Sequence, residues 1–413
     1  MIRKIYWGIA LNTLAVLIFS CTPQPARFEL GAWRGVFKSQ EAEFPFQFNI
    51  VDDTAGTVKA VFINGEERVY FDSIRYERDS VIVPIDLFDA FFIGKLTDQS
   101  WNGYFRKRQS NRQGIPFTAT PGKQPRFVRR HAESALPIEG KWSVSLINDK
   151  GDSRYTVGLF DQRDNTVTGT ILTTTGDYRY FEGIADGDSV KLSGFGGSNP
   201  SLLQVKLIDS THITGELYSP TGKTKLIAIK SDTARLPDPY KLTYLKPGYD
   251  KFTFQFPDLE GNPVSLEDEK YRNKAVIVTL TGSWCPNCMD ETAFLAPWYK
   301  ANKHRGVEII ALSFERKDDL DFVRERIDKL VKRFDAEYDF LFAGLADKKQ
   351  AAEKLPALNA VLSFPTTIFI DRTGKVTKIH TGFSGPATGK YYEEFVRDFN
   401  EEVNRIVGEE NGV

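Results

Sequence analysis

The chain has 413 residues, of which 41% are hydrophobic, 26% charged and 13% aromatic. Its 54 Lys and Arg residues almost balance its 55 Asp and Glu residues, and the formal net charge at pH 7 is −1. The length predicts two to four domains. The even charge excludes the basic field that recruits nucleic acid, so we expect no nucleic-acid partner.

The first 21 residues have the layout of an export signal. A cationic tip precedes an apolar run that ends at Phe19, and Cys21 follows. The run is too short for an ordinary membrane-spanning helix. Residues 18–21 (IFSC) resemble the lipobox of bacterial lipoproteins. This implies a signal peptide over residues 1–20, a lipid anchor on Cys21, a tether over residues 21–27, and a location outside the cytoplasm, most simply the periplasm. The alternative is a plain cleaved signal or an N-terminal anchor, in which Cys21 has no role.

The next part of the chain, up to about residue 238, shows a β pattern. Short runs alternate apolar and polar residues, are rich in Val, Ile, Thr, Phe and Tyr, and are separated by Gly, Asn and Asp. Alternation with a period of two is typical of strands with one buried face. The spacing of these runs predicts β-sandwiches or β-barrels.

An internal repeat divides this β region. GAWRGVF is matched by EGKWSVSL, which pairs Trp33 with Trp142, and TVKAVFINGEERVYFDSI is matched by TVTGTILTTTGDYRYFEGI. Further matches follow in order at an offset near 110 residues. We therefore predict two related β-modules, residues 28–128 and 138–231. Neither contains a cysteine, so each requires an apolar core, and we expect the two Trp side chains to anchor those cores rather than stack on a ligand.

The pattern changes after a proline-containing linker, predicted over residues 232–247. Continuous apolar runs predict strands covered on both faces, and segments with helical spacing predict helices. The predicted strands are 275–280, 307–314, YDFLFAG, 366–371 and 375–382, and the predicted helices are 290–303, 318–334, DKKQAAEKL and 391–409. This alternation predicts an α/β domain with a mixed sheet over residues 248–413.

Two of the three cysteines lie in TGSWCPNCMDE, residues 281–291. A disulfide between Cys285 and Cys288 closes a tiny loop and stabilises the fold little, so the pair reacts, holds a metal or is incidental. The junction between a strand and a helix places Cys285 at a helix N-terminus, where a thiol should have a depressed pKa. Cys288, one turn later, is expected to be more buried and suits a resolving thiol, and Pro286 fits the first helical turn.

Three alternatives compete with a reactive dithiol. A structural zinc site needs two more ligands, and the four histidines lack ligand spacing, so we expect neither a metal nor a cofactor. A peroxidase usually has Pro and Thr ahead of one reactive cysteine, and the Thr281-Gly-Ser-Trp stretch lacks the Pro. A lipid-anchored scaffold would instead use its β-modules to bind a ligand or a partner.

Several segments together resemble the thioredoxin superfamily, and more closely its TlpA/ResA-like branch of membrane-tethered, extracytoplasmic thiol–disulfide oxidoreductases. They are FTFQFPDLEGNPVSL, the WCPNC motif, FPTTIFIDRTGKV and the long final helix, and they cover about residues 248–410. The resemblance implies a redox disulfide between Cys285 and Cys288 and a cis peptide at Phe364–Pro365. It also implies protein thiol or disulfide substrates, an upstream electron donor, and reduction rather than oxidation as the direction.

The resemblance further implies roles for residues near the dithiol. The substrate-binding residues would be Trp284, Phe364, Pro365 and Thr366, because the proline loop offers backbone groups to a substrate chain. Glu291 matches an acid that this branch places near the active site, and we assign it to proton transfer with Cys288. Cytoplasmic thioredoxins carry a buried Asp where this chain has Thr279, which increases the importance of Glu291. The alternative is that Glu291 is a solvated helix residue.

Overall fold

The computed structural model describes residues 26–52, 56–71, 73–108, 113–130 and 136–408. The predicted signal peptide and Cys21 lie outside these residues. Within the described ranges, no helix is both long enough and apolar enough to cross a membrane.

The first β-module is an antiparallel sheet that comprises nine strands in the described residues. Its spatial order is β4-β3-β2-β1-β9-β8-β7-β6-β5, and no pairing between described residues joins the outer strands β4 and β5. The strands are β1 (Gly31–Lys38), β2 (Glu43–Asp52), β3 (Val58–Asn64), β4 (Glu67–Phe71), β5 (Arg75–Glu77), β6 (Ser80–Ile85), β7 (Ala90–Leu96), β8 (Trp101–Lys107) and β9 (Ile115–Pro121), with a 3-10 helix at Asp86–Phe88. The sheet therefore forms a half-barrel.

The second β-module repeats this order and closes. Strand β11 pairs with both β10 and β12, and β12 pairs with β14, so the sheet returns on itself as a barrel. Its strands are β10 (Gly140–Ile147), β11 (Ser153–Arg163), β12 (Thr166–Thr173), β13 (Gly176–Asp177), β14 (Phe181–Asp186), β15 (Ser189–Gly194), β16 (Ser201–Leu207), β17 (His212–Ser219) and β18 (Gly222–Lys230).

The two modules correspond strand by strand, as β1 with β10 through β9 with β18. Trp33 and Trp142 occupy the same place in the first strand of each module, and both are buried. Each indole Nε1–H donates to the carbonyl oxygen four residues earlier, that of Glu29 or of Ile138, at 2.8 Å. These side chains are therefore core anchors, as expected from the sequence, and the prediction of two related all-β modules is confirmed.

The C-terminal α/β domain has a mixed five-stranded sheet in the described residues, in the order β23-β22-β21-β24-β25. Strands β21, β22 and β23 are parallel, and β24 and β25 are antiparallel to their neighbours. The strands are β21 (Ala275–Thr281), β22 (Val307–Glu315), β23 (Asp339–Leu345), β24 (Thr366–Ile370) and β25 (Val376–Thr381), preceded by the hairpin β19 (Gln255–Pro257) and β20 (Pro263–Ser265). Every side chain of β21 and β22 is buried, as the continuous apolar runs predicted.

Four α-helices among the described residues cover this sheet. They are α1 (Pro286–Asn302), α2 (Leu320–Phe334), α3 (Lys348–Lys354) and α4 (Lys390–Val407), with 3-10 turns at Pro239–Lys241, Lys303–Arg305 and Pro386–Thr388. The first helix begins at Pro286, as the placement of Cys285 at a helix N-terminus predicted, and not at residue 290, because Pro286 already has helical geometry and Cys285 caps the helix. The expected fold class, all-β modules followed by an α/β domain, is confirmed.

The segment predicted as a linker packs on the α/β domain. Leu245 forms an isolated antiparallel bridge with Leu358, and the buried Thr243 accepts a hydrogen bond from Thr381 at 2.8 Å. The ammonium of Lys378 lies 4.1 Å from the centre of the Tyr240 ring. The connection between the second β-module and the α/β domain is thus fixed by contacts with β25 and with the segment after α3.

The first β-module is completed by its neighbours. Phe195, from the loop between β15 and β16, inserts among the phenylalanine rings of the half-barrel, 4.9 Å from Phe37 and 5.4 Å from Phe62 between ring centres. Asn64 holds the backbone of Phe195 with two hydrogen bonds, of 2.9 and 3.0 Å. From the other side, the buried Arg326 of α2 donates to the carbonyl oxygens of residues 86 and 87, at 2.9 and 2.7 Å. The three units therefore share buried contacts.

Candidate active site

The dithiol lies where β21 passes into α1. Gly282 sits in the turn between them, and a Cβ there would lie 2.5 Å from Nε1 of Trp284 and 2.7 Å from the carbonyl oxygen of Phe314. Glycine is therefore required for the indole to approach the backbone and donate to that carbonyl oxygen at 2.9 Å. This turn delivers Cys285 to the N-cap position of α1, where unpaired amides and the helix dipole favour negative charge.

Cys285 is in contact with both partners that the sequence predicted. The backbone N–H of Cys288 donates to its Sγ at 3.3 Å, and its thiol donates to the carbonyl oxygen of Phe364 at 3.3 Å. The Phe364–Pro365 peptide is cis, as the resemblance implied. Both cysteines are free thiols and both are buried. The sulfur that would attack a substrate thus lies between the first turn of α1 and the proline loop.

Cys288 is the more deeply buried of the two thiols, with no exposed surface. Burial raises its pKa well above the ordinary value, and the hydrogen bond and charge of Cys285 and the charge of Glu291 raise the pKa further. A thiol of this kind stays protonated until a nearby base accepts its proton. This environment fits a resolving thiol that reacts only once Cys285 has formed a mixed disulfide.

Glu291 lies beneath the dithiol, one helical turn after Cys288, and is 1% exposed. Its two carboxylate oxygens accept hydrogen bonds from the hydroxyls of Thr279 and Thr367, at 2.5 and 2.6 Å. Burial raises its pKa to about 7, although the two threonine hydrogen bonds act in the opposite direction. The alternative of a solvated helix residue is therefore wrong. The carboxylate reaches Thr279, the position where thioredoxins carry their own acid.

A second buried acid, Glu315, holds the turn before the dithiol. It accepts hydrogen bonds from the backbone N–H and the hydroxyl of Ser283, at 2.7 and 2.8 Å, and from the hydroxyl of Ser313 at 2.7 Å. Burial raises its pKa. Sequence reasoning missed Glu315, because only the parallel pairing of β21 with β22 brings the end of one strand to the turn that follows the other.

Asp290, next to Glu291 in sequence, points to the second β-module. Its carboxylate lies 3.1 Å from the guanidinium of Arg179, which also contacts Glu67 of the first β-module at 2.5 Å. Burial raises the pKa of Asp290 to about 7. Arg179 lowers it, but the charges of Asp177 and Glu67 raise it again, because one guanidinium serves three carboxylates. This cluster ties all three units together beside the active-site helix.

The loop between β12 and β14 of the second β-module packs directly on the site. Ser363, next to the proline loop, donates to the carbonyl oxygen of Thr175 at 3.0 Å, and the N–H of Gly385 donates to Asp177 at 2.7 Å. A Cβ on Gly176 would lie 2.2 Å from the amide nitrogen of Asn287, and the φ of +147° favours glycine, so a larger residue here would have to displace the Asn287 side chain of the CPNC motif. The site is therefore built from two units.

Of the four predicted substrate-binding residues, Trp284 alone is partly exposed, whereas Phe364, Pro365 and Thr366 are buried. Trp284 packs edge-on against Phe364, with 5.9 Å between ring centres, and the guanidinium of Arg316 lies 5.4 Å from the centre of an indole ring. The described residues contain no group of three or more His, Cys, Asp or Glu side chains that could hold a metal ion.

Comparison with known proteins places this domain in a family. A family model described as AhpC/TSA family matches residues 248–379. The thiol-disulfide oxidoreductase ResA of Bacillus thuringiensis subsp. konkukian (strain 97-27) is 31% identical over 144 residues, which are 35% of this chain and 73% of that protein. The chain belongs to the ResA family of thiol–disulfide oxidoreductases.

A second relative and one solved structure are also similar to this chain. ResA of Halalkalibacterium halodurans is 29% identical over 154 residues, which are 36% of this chain and 74% of that protein. A solved thiol-disulfide oxidoreductase from Bacteroides fragilis NCTC 9343 has 22% identity and a TM-score of 0.27, and the match covers 36% of this chain and 99% of that structure. The assignment to the ResA family rests on the sequence relatives.

Proposed function

We propose that this ResA-family protein is a lipid-anchored, extracytoplasmic enzyme that reduces protein disulfides through the dithiol of Cys285 and Cys288. One arrangement carries the proposal: a thiol at the cap of α1 accepts a hydrogen bond from the N–H of a second, fully buried thiol residue, above a carboxyl group with a pKa of about 7. The sequence around Cys21 supports the anchor and the location.

The reaction starts at Cys285. The N-terminal end of α1 stabilises negative charge on its sulfur, and this thiolate attacks one sulfur of the partner disulfide. A bond forms between Cys285 and the partner, the partner S–S bond breaks, and the departing partner thiolate takes up a proton. The product is a mixed disulfide on Cys285. The buried thiol of Cys288 lies one helical turn away.

The second step needs a base for Cys288. Glu291 accepts the proton of the Cys288 thiol, and the resulting thiolate attacks Sγ of Cys285. The mixed disulfide breaks, and the second partner sulfur leaves as a thiol after protonation. In total, two electrons and two protons pass from the dithiol to the partner, and the Cys285–Cys288 disulfide remains. An upstream thiol donor then restores the dithiol, and oxidation of a partner uses the same steps in reverse.

The decisive experiment uses the purified, pre-reduced chain with insulin and with hydroxyethyl disulfide. We expect both to be reduced by the wild type and neither by Cys285→Ser. Cys288→Ser should instead accumulate a mixed disulfide on Cys285, which mass spectrometry detects and which identifies natural partners when the variant is expressed in cells. A wild-type protein that reduces neither disulfide would rule out the proposed activity.

The anchor needs a separate measurement. Mass spectrometry of the mature N-terminus should show cleavage before Cys21 and acyl chains on that residue. A Cys21→Ser variant should appear in the soluble fraction of the cell envelope. An unmodified thiol at Cys21 in the mature protein would contradict the lipoprotein assignment, while leaving the redox proposal unaffected.

Peroxide reduction is the second candidate, and the match of residues 248–379 to the AhpC/TSA family model favours it. A peroxidatic mechanism requires Cys285 to react with peroxide without Cys288. Rapid peroxide consumption by Cys288→Ala would support this function. We expect that variant to consume peroxide no faster than a free thiol, because the proposed chemistry requires both sulfurs.

A further inference from the structure

A cleft of about 1570 Å³ lies where the two β-modules meet the α/β domain. Its wall includes the turn after β1, the end of β8, the loop before β16, and Ser283 and Trp284 immediately before the reactive thiol. Pockets for small ligands have volumes of roughly 300–1,000 Å³, so this cleft exceeds the usual size. It is large enough for a segment of polypeptide.

Four cations on the cleft wall have no carboxylate partner among the residues that the structure describes. Arg106 and Lys107 come from the first β-module, and Arg316 and Lys317 from the α/β domain. None of the four forms an ion pair with any described residue. Three of them are instead placed over aromatic rings, at 5.1 to 5.4 Å from the ring centre: Arg106 over Tyr104 at 5.3 Å, Arg316 over Trp284 at 5.4 Å and Lys317 over Phe322 at 5.1 Å.

Two of the three carboxylates on the wall are already engaged elsewhere. Asp89 lies 3.4 Å from the guanidinium of Arg326 and 3.6 Å from that of Arg108. Glu315 accepts its hydrogen bonds from serine side chains and backbone in the turn before the dithiol. The third carboxylate on the wall, Glu41 in the turn after β1, forms no ion pair with a described residue, and it does not balance the four cations. The side of the cleft next to Trp284 therefore has an excess of positive charge.

The first β-module and the α/β domain each place positive charges on the wall of the cleft. Burial lowers the pKa of Lys107, and the positive charge of Arg316 lowers it further. Two cations that are close together and partly desolvated raise the free energy of the empty site, and an anion between them would lower it. This feature distinguishes the cleft from an ordinary solvated surface, where each cation is screened by water and salt.

The other approach to the dithiol is covered. The loop of the second β-module lies on Asn287, Ser363 and Gly385, and the proline loop itself is buried. Among the residues of the WCPNC turn, Trp284 is the one that lines the cleft. A partner disulfide that approaches along the cleft would meet Trp284 immediately before Cys285.

We propose that this cleft is the substrate groove, and that it takes an extended, acidic segment of the partner protein next to the disulfide to be reduced. The inference rests on the proposed disulfide-reductase function and adds the class of substrate. Carboxylates of the segment would pair with Lys107, Arg316 and Lys317, and its backbone would lie along the indole of Trp284. Complementary charge of this kind mainly accelerates association and selects the partner.

The experiment compares two peptides of equal length with one internal disulfide, flanked either by Asp and Glu or by Lys. Pre-reduced, full-length wild type is mixed with each peptide in a single turnover, and free thiol release is followed. At low salt we expect the acidic peptide to react about 10-fold faster or more. The ratio should fall toward one as salt shortens the screening length to a few ångströms.

The matched variants are Lys107→Gln/Lys317→Gln in the cleft and Lys348→Gln/Lys349→Gln on α3, outside the cleft. The cleft variant should lose most of the preference for the acidic peptide, whereas the α3 variant should keep it. For each variant, the rate with each peptide is divided by the rate with the neutral hydroxyethyl disulfide, which separates a loss of peptide preference from damage to the dithiol.

Two results would overturn the inference: equal rates of the wild type with the acidic and basic peptides at low salt, or an unchanged preference in a folded cleft variant. If the cleft variant does not fold, the peptide ratio and its salt dependence in the wild type decide the question alone. Failure of the proposed function would look different, because the wild type would then not reduce even the hydroxyethyl disulfide.

Discussion

The molecule has two interiors with opposite chemistry. The half-barrel of the first β-module encloses a phenylalanine cluster, formed by Phe37, Phe46, Phe48, Phe62, Phe92, Phe105 and Phe117 and completed by Phe195. The interior beneath the dithiol instead buries Glu291 and Glu315, each satisfied by hydroxyl or backbone donors. The first interior consists mainly of apolar side chains, and the second contains acids whose charged forms are disfavoured by burial.

The difference shows what each interior contributes. Apolar rings stabilise in proportion to the surface they remove from water, at every pH. A buried carboxyl group with a pKa near 7 lowers stability once it ionises. The α/β domain is therefore less stable at neutral pH than it would be without this group, which we propose exchanges protons with Cys288. Removing a side chain from each interior should therefore have distinct consequences.

The largest effect on stability is expected for Phe195→Ala. This ring belongs to the second β-module but fills the core of the first, so its loss leaves a cavity that the half-barrel cannot close. We expect the free energy of unfolding to fall by about 3–5 kcal/mol, measured by denaturant titration. The rate of hydroxyethyl disulfide reduction should stay at the wild-type value in the folded protein, because the ring does not touch the dithiol.

Asn64→Ala provides the control for the position of Phe195, because it removes the two hydrogen bonds that hold the backbone but leaves the ring. A smaller loss, of about 2 kcal/mol, is expected. A Phe195→Ala protein as stable as the wild type would show that the first β-module closes its core without the second.

Glu291→Gln changes the interior beneath the dithiol, and its effect on the free energy of unfolding should depend on pH. The folded pKa of about 7 lies above the unfolded value of about 4.5, so the native protein binds the extra proton between these values. The contribution of Glu291 to wild-type stability is then greatest below pH 4.5 and is lost as the pH rises through 7. Glutamine cannot ionise, so relative to the wild type the variant should gain up to roughly 3 kcal/mol between pH 4.5 and pH 8.

The same substitution should slow catalysis while it stabilises. Without a proton acceptor, Cys288 resolves the mixed disulfide slowly, and we expect the single-turnover rate at pH 7 to fall by about 10². Glu291→Asp, which keeps the carboxyl group, should retain part of the rate and its pH dependence. An unchanged rate–pH profile in Glu291→Gln would remove the carboxyl group from the mechanism.

Sequence patterns predicted much of both interiors, but they did not predict sheet closure or the contacts between the three units. The repeat predicted Trp33 and Trp142 as core anchors because periodicity reports which face of a strand is buried. The same patterns did not predict that the first sheet stays open while the second closes, because closure depends on strand pairing. Phe195, Arg179 and the loop around Gly176 contact units that are distant in sequence, and no local spacing indicates such contacts. The dithiol could be predicted from the sequence because its two cysteines are neighbours in the chain.

Trp33→Phe and Trp142→Phe test whether the repeated modules are energetically alike. Each change removes one buried hydrogen bond, to the carbonyl oxygen four residues earlier, and part of one ring. We expect a loss of about 2 kcal/mol in each case, with similar values for both modules. A much larger loss at Trp142 would show that the closed barrel tolerates a cavity less than the half-barrel, which can repack against Phe195.

Thr279→Val is the mildest change and the sharpest test of how the acid is controlled. The threonine hydroxyl donates to one oxygen of Glu291, so it stabilises the charged carboxylate more than the neutral acid. Its loss should raise the pKa of Glu291 further and move the midpoint of the rate–pH profile upward by roughly half to one unit. Stability should fall by about 1 kcal/mol at pH 8, where Glu291 is ionised, and less at pH 5.

Thr279→Ser retains the hydroxyl and should keep the wild-type midpoint. If valine left the midpoint unchanged, the carboxyl group that controls the resolving step would have to be another, and Asp290, with its own pKa of about 7, would be the residue to change next.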